Sequence, residues 1–417
     1  MFDFSSFLSN KAFITEDHHV YTYADLLGLS ERFSEHLVPR SLIFIGCENS
    51  LESIVAYVSC LRSGVVPLLL SRDVPDETLY HLEAIYHPRY CWFPSRRDLL
   101  VKGKEKYSLG GYSLIQYDGD SPVLPEGLAL LLTTSGSTGS PKLVRLSHDN
   151  LKSNACSIIE YLKITSSEKA ITSLPMYYSY GLSVLNSHLL AGATLLLTDK
   201  SYVQREFWKF VLEEKATSFA GVPFTYEILK KMRFEKFLPS SVKVMTQAGG
   251  KLNSSLIKYF SEYARLHDIR FYVMYGQTEA TARMSYLPAE YTLNKVGSVG
   301  VAIPGGHFSL IDEDGMRIVS PNVEGELVYE GSNVFWGYAE SLDDLFKGDE
   351  NKGILYTGDL AYVDSEGFYY ISGRKKRFLK LYGNRISLDF VESIVKDHCQ
   401  ECACVGSDDK LIVYVTD

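Results

Sequence analysis

A chain of 417 residues is longer than one domain usually runs, so a large domain with a small one, or two to three packed subdomains, is expected. Its 46% hydrophobic and 22% charged residues are ordinary globular usage, enough for a sizeable core. A net charge of −9 argues against a nucleic-acid surface, which needs a basic patch, and favours small anionic ligands met locally at backbone amides and a few Lys or Arg.

The first ten residues lack the basic stretch and apolar core of a secretory signal. The longest apolar runs, 65–70 and 128–132, are too short to span a bilayer. Seven cysteines, an odd number scattered along the chain, do not form a disulfide framework and fit a reducing cytoplasm.

In chain order, residues 41–45 read as a buried strand. The next helix carries Leu51, Ile54, Val55, Val58 and Leu61 at helical spacing and stops at Gly64. A strand at 65–70, a helix at 76–86 with Leu79, Leu82 and Ile85 on one face, and a strand at 90–93 follow. Residues 128–132 and 143–146 read as strands, and Ser147 is a good N-cap for a helix through Leu151, Ala155, Ile158, Ile159 and Leu162. Strands at 193–197, 218–221 and 271–274 then alternate with helices at 206–212 and 256–266. This alternation predicts an α/β fold with parallel sheets covered on both faces.

From about Gly297 helical periodicity fades, and glycine-punctuated strands at 308–311, 325–329 and 367–371 predict a β-rich subdomain. The basic segment 373–380 reads as an exposed link into a small terminal piece of strand, helix (388–397), strand and strand. The expected organisation is a large domain, 1–374, of two α/β subdomains with parallel-type sheets plus a β-rich subdomain at about 297–374. A small, truncated α+β domain, 375–417, follows it.

The run Thr133-Thr134-Ser135-Gly136-Ser137-Thr138-Gly139-Ser140-Pro141-Lys142 directly follows the strand 128–132. Its glycines let backbone N–H groups approach a ligand, its hydroxyls can donate to phosphate oxygens, and Lys142 adds charge. The G-x-x-x-x-G-K spacing of a Walker loop is absent, and the loop joins two strands. An ordinary flexible Ser/Gly turn is the bland reading, but such turns rarely follow an apolar strand and end in Pro-Lys. Further along, Gln247-Ala248-Gly249-Gly250-Lys251-Leu252 places small residues at a strand end. Tyr275-Gly276-Gln277-Thr278-Glu279-Ala280 sets a ring, a hydroxyl and a carboxylate in the turn after the strand 271–274, where α/β sheets bind ligands. Tyr356-Thr357-Gly358-Asp359-Leu360, on its own a common turn, stands at a specific spacing before Gly373-Arg374.

Taken in this order, the motifs resemble those of the acyl-adenylate-forming (AMP-binding) superfamily, which includes acyl-CoA synthetases, aryl-acid ligases, peptide-synthetase adenylation domains and luciferases. The resemblance runs from about residue 20 to the end; Leu143 stands where that family commonly has glycine. It implies that residues 1–374 form the AMP-binding adenylation domain and that ATP and Mg²⁺ are used. Thr134, Ser135, Gly136, Ser137, Thr138, Gly139 and Lys142 would hold the β- and γ-phosphates. Gly249 and Gly250 would lie against the adenine and acyl chain, and Tyr275 and Gly276 beside the adenine. Thr278 would contact the α-phosphate, and Glu279 would hold magnesium, which usually takes one or two carboxylates plus phosphate oxygens. Asp359 would accept from both ribose hydroxyls with help from Arg374, Lys376 would be the hinge, and Arg385 would reach the phosphate.

The reaction so implied is ATP-dependent activation of a carboxylic acid as an acyl-adenylate, with pyrophosphate released. Transfer follows to a thiol, either coenzyme A or the phosphopantetheine of an acyl carrier protein. Peptide-synthetase relatives have an aspartate where Ser179 stands, and many acyl-CoA and aryl-CoA synthetases have a histidine at Tyr178, so a fatty or aryl acid is favoured. An amino-acid adenylation domain feeding a carrier protein and a luciferase-type oxidation stay open. So does a truncated nucleotide-binding protein with weak or no turnover, because no residue before Asp417 matches the family's terminal catalytic lysine. His398-Cys399-x-x-Cys402-x-Cys404 resembles a metal cluster, but a helix end and a strand do not converge easily on one ion, and structural thiols are the default.

Overall fold

The computed structural model describes residues 2–95, 103–133, 142–375, 378–381, 384–395, 402–407 and 410–416. Two large mixed sheets dominate these residues. The first runs, in spatial order, Val301–Ala302, Ser285–Leu287, Arg270–Tyr275, Val244–Gln247, Ser218–Gly221, Lys169–Ile171, Thr194–Leu196, Lys11–Ile14 and Val20–Thr22. Its strands from Arg270–Tyr275 to Lys11–Ile14 pair in parallel, and the strands beyond them at both margins are antiparallel. The second runs Gly337–Ala339, Leu143–Ser147, Leu128–Thr133, Val66–Ser71, Leu42–Cys47, Tyr90–Pro94, Tyr112–Tyr117 and Gly103–Leu109. Again the centre is parallel and both margins are antiparallel. The fold is therefore α/β, as the alternation implies. The antiparallel margins arise where the chain turns back after a short connection instead of crossing over through a helix.

The helices form where local chemistry and burial agree. Helix Leu51–Ser63 starts at Ser50, whose hydroxyl accepts from the Ser53 amide, and ends at Gly64 with φ +70°, the left-handed conformation glycine reaches without strain. Ten of its residues, Leu51 and Ser53 to Leu61, are buried, because it is covered on nearly every side. Each fully buried Leu, Ile or Val there contributes about 1.5–3 kcal/mol. Helix His148–Leu162 has a full capping box, Ser147 and Asn150 satisfying each other's amides. Helix Ser179–Leu190 escapes the periodicity argument: ten of its residues from Ser179 to Leu189 are buried, so no polar face marks it.

A third, five-stranded antiparallel sheet runs Arg317–Ile318, Gly306–Ile311, Gly325–Gly331, Ile354–Val363 and Tyr369–Arg374. Thr357-Gly358-Asp359 lies inside its ten-residue strand and is no turn; Gly358 takes φ +70° within that strand. Beyond it, Phe378–Leu381 pairs with Asn384–Ser387, and Cys402–Ser407 with Lys410–Val415, around helix Leu388–Val395. No helix among the described residues is long and apolar enough to cross a membrane.

Candidate active site

Three parallel strands of the first sheet, Ser218–Gly221, Val244–Gln247 and Arg270–Tyr275, deliver their carboxyl ends to one edge. The segments 247–250 and 275–283 leave from there, as a ligand site at the end of parallel strands requires. The second of these segments folds back on itself. A Cβ on Gly276 would stand 1.6 Å from the Ala282 carbonyl oxygen, so only glycine fits. Thr281 and Ala282 both have positive φ, 56° and 96°, a strained conformation that packing must hold. Asn333 supplies part of that packing: its side-chain amide donates to the Ala280 and Arg283 carbonyls at 2.7 and 3.1 Å, and its main-chain carbonyl accepts from Thr281 Oγ1 at 2.6 Å.

At one end of this turn, Tyr275 Oη donates to Asp359 Oδ2 at 2.5 Å, and Gln277 Nε2 donates to the same oxygen at 2.9 Å and to the Thr357 carbonyl at 3.1 Å. Asp359 is 3% exposed, and Arg374, its register partner on the neighbouring strand, places Nε 3.1 Å from Oδ1. Burial, and then the Asp359 carboxylate, push the Tyr275 phenol well above its ordinary pKa, so it stays a donor. Gln277 lies in the quoted motif without an assigned role; only the third sheet, folded against the strand end, gives it one.

At the other end, Thr278 Oγ1 lies 3.1 Å from Ser179 Oγ, at the start of helix Ser179–Leu190. Glu279 accepts at Oε1 from Tyr338 Oη, 2.7 Å away. Lys142 Nζ sits 3.7 Å from the centre of the same Tyr338 ring and 3.4 Å from Glu340 Oε1. Burial, then Glu279, raise the Tyr338 pKa. The strand pairing explains the meeting: Leu143 and Val144 stand opposite Ala339 and Tyr338, which sets Lys142 beside Tyr338. Among the described residues no cation pairs with Glu279. One carboxylate beside a hydroxyl is a donor set that suits Mg²⁺, whose remaining ligands are phosphate oxygens and water.

Gly249 has φ +84°, and its missing Cβ leaves space used by Tyr178 Oη, 2.5 Å from where a Cβ would be; a Cβ on Gly250 would meet Pro223 at 3.2 Å. Glycine at 249 is thus favoured by its positive φ and by Tyr178, whereas a side chain at 250 would need Pro223 to give by only a few tenths of an ångström. Thr134, Ser135, Gly136, Ser137, Thr138 and Gly139, and with them Lys376, lie outside the described residues. Arg385 is placed by its backbone, in strand Asn384–Ser387 opposite Lys380. Cys402 and Cys404 lie on one strand, Cys404 buried, and no group of three metal-type ligands occurs among the described residues.

Comparison with known proteins agrees with this arrangement. The family described as AMP-binding enzyme matches residues 6–339. The 2-succinylbenzoate–CoA ligase of Bacillus cereus (strain ATCC 14579) is 32% identical over 97% of this chain and 86% of its own length. Its counterpart from Bacillus subtilis (strain 168) is 26% identical over 96% of this chain and 82% of its own. Among solved structures, o-succinylbenzoate CoA synthetase from Bacillus subtilis in complex with ATP and magnesium ion shares the fold. Its TM-score is 0.76 at 24% identity, covering 97% of this chain and 86% of that one. The same enzyme in complex with the acyl-adenylate intermediate OSB-AMP gives a TM-score of 0.79 at 23% identity, covering 98% and 86%. The chain therefore belongs to the AMP-binding enzyme family and is an AMP-forming acid–thiol ligase, activating a carboxylic acid through its acyl-adenylate.

Proposed function

We propose that this chain joins an aryl carboxylic acid to coenzyme A at the expense of ATP, with 2-succinylbenzoate, the acid in its relatives' names, as the substrate. A cytoplasmic setting fits the thiols Cys47, Cys60 and Cys156. The observation that carries the reading is the continuity of the Thr278–Glu279 turn: it reaches Asp359 through Tyr275 and Gln277 on one side, and Lys142 through Tyr338 on the other. A nucleotide laid along the turn meets a ribose acceptor, a hydroxyl, a carboxylate and an ammonium in the order in which ribose, α-phosphate and outer phosphates follow one another. The tyrosine at 178 and serine at 179 give the start of helix Ser179–Leu190 a ring and a hydroxyl, and no carboxylate to receive an amino-acid ammonium.

A carboxylate is a poor acyl electrophile, and adenylation replaces its oxide with a good leaving group. The residues mainly position and neutralise. Asp359, already turned by Tyr275 and Gln277, accepts the ribose hydroxyls, and Arg374 holds its other oxygen. Thr278 donates to the α-phosphate, where the attacking carboxylate must arrive in line. Glu279 and Thr278 would hold Mg²⁺, which offsets phosphate charge when bound. Lys142 leaves Glu340 for the departing phosphates, and the segment 134–139 cradles them with backbone amides. Gly249 and Gly250 line the acyl side, and Arg385 approaches the phosphates from the small terminal part, turning about Lys376. The acyl-adenylate then loses AMP to the CoA thiol. ATP–pyrophosphate exchange, followed by CoA-thioester formation, over a panel of aryl, fatty and amino acids tests this: exchange confined to aryl acids supports it, and exchange with amino acids only sinks it.

A further inference from the structure

Arg283 is 1% exposed, and among the described residues its guanidinium meets no carboxylate. Its Nε donates to Ser183 Oγ at 3.1 Å and its Nη1 to Tyr161 Oη at 2.9 Å, with Met274 Sδ at 3.4 Å, and its Cζ lies 5.1 Å from the centre of the Tyr180 ring. Hydroxyls, a thioether and a ring face solvate the cation without neutralising it. An uncompensated buried charge costs several kcal/mol, so a fold that keeps one is expected to gain an anion there. Beside the guanidinium lies a cavity of about 20 Å³, whose walls include Val184, His188, Ala220, Thr246 and Arg283. Glu168, also on its wall, accepts a hydrogen bond from the Thr217 hydroxyl.

The position of this charge is informative. Ser183, which holds Arg283, is one helical turn beyond Ser179, which touches Thr278. Side chains so spaced are about 5–6 Å apart. An acid whose reacting carboxylate lies at Thr278 would bring a group at its far end to Arg283. We infer that Arg283 is a specificity residue that receives a second carboxylate of the acid, so that the substrate is a dicarboxylic acid held with one carboxylate at Thr278 and the other at Arg283. The inference rests on the aryl-acid reading above and adds which residue reads the unreacted end. At about 20 Å³ the cavity holds little more than one water-sized group, so a carboxylate bound there must displace neighbouring side chains; Ser179 and Ser183 line a second cavity of about 10 Å³ on the side of Thr281. Arginine suits the task because its planar fork can bind a carboxylate through two parallel bonds.

The test compares ATP–pyrophosphate exchange by the full chain on two acids that differ by one carboxylate, 2-succinylbenzoate and 4-oxo-4-phenylbutanoate. Wild type is expected to favour the diacid in kcat/KM by about 100-fold or more, since a site built for a polar group rejects the analogue that lacks it. Arg283→Gln should bring that ratio to within about threefold, and Arg283→Lys should restore part of it. Equal use of both acids by wild type overturns the inference without any variant. A fall in both activities with the ratio intact marks Arg283 as packing only and also overturns it. If neither aryl acid exchanges, the aryl reading fails by itself. Arg283 is then judged on suberate against octanoate: a diacid preference that Arg283→Gln removes upholds it, and no preference, or no exchange, overturns it.

Discussion

Two arginines are among the largest fully buried side chains, and they are treated in opposite ways. Arg145 brings its own counter-charge: Nη2 pairs with Glu350, Nη1 donates to the Lys347 and Gly348 carbonyls, and Nε donates to the Tyr338 carbonyl. It fastens the edge of the second sheet to the segment around 347–350 and leaves nothing for a ligand to satisfy. Arg283 is as deeply buried, yet its partners are neutral. Glu279, four residues earlier on the same turn, is the matching case of opposite sign, a carboxylate whose partner is a phenol. A charge matched within the chain is architecture; a charge matched only by neutral groups marks where a ligand's charge belongs. Asp359 and Arg374 stand between these extremes, already paired yet sharing a carboxylate that two other side chains also hold in place.

This contrast can be broken by substitution. The largest effect is expected at Glu279. Glu279→Gln keeps the bond from Tyr338 and the shape but removes the charge, and should lower ATP–pyrophosphate exchange by roughly 10²–10³-fold with an unchanged melting curve. Exchange at the wild-type rate would refute a role in holding the metal. At Arg145 the loss should appear in stability: Arg145→Met leaves buried carbonyls unpaired and should cost about 3 kcal/mol by urea unfolding, the lower end for a broken buried pair because Glu350 is half-exposed. A cost below about 0.5 kcal/mol would mean that its contacts carry no architectural role.

His188 probes the surroundings of Arg283. Burial first, with the Arg283 charge adding to it, holds its pKa down to about 4, against a partial pull upward from its bond to the Val184 carbonyl. The folded imidazole is therefore neutral where the unfolded one, with a pKa near ~6.5, takes a proton. Stability should be complete above about pH 6.5 and should decline as pH falls toward 4, by about 1–2 kcal/mol between pH 7 and 5. Unfolding of His188→Gln over that interval should show a slope shallower by this amount; parallel slopes would place the histidine in contact with solvent. Smallest is Tyr338→Phe. It removes the bond to Glu279 but keeps the ring beneath Lys142, and should reduce exchange by about tenfold or less, as one hydrogen bond to a charged group warrants. A loss as large as that of Glu279→Gln would shift the role onto the phenol itself.

Much of this was legible along the chain because it was local. Strand and helix alternation, Gly64 as a helix stop, Ser147 as a cap and the order of the motifs follow from spacing and turn chemistry, which need no distant partner. The largely buried helix Ser179–Leu190 was silent because period-based reading requires a polar face. Thr357-Gly358-Asp359 reads as a turn because its residue types favour one; pairing with Gly325–Gly331 and Tyr369–Arg374 makes it strand.

By itself the amino-acid sequence determined the order of the motifs, the Tyr275–Glu279 turn and the α/β alternation, since each depends on residues close in order or on composition. Only the tertiary structure decided which charges cancel one another. Arg145 and Arg283 are equivalent as letters, and both stand in stretches that read as ordered. What separates them is that folding brings Glu350, some two hundred residues away, to the first and, among the described residues, only hydroxyls, a sulfur and a ring to the second. Charge compensation acts through space over a few ångströms and ignores distance along the chain, so it becomes visible only once the sheets are in place.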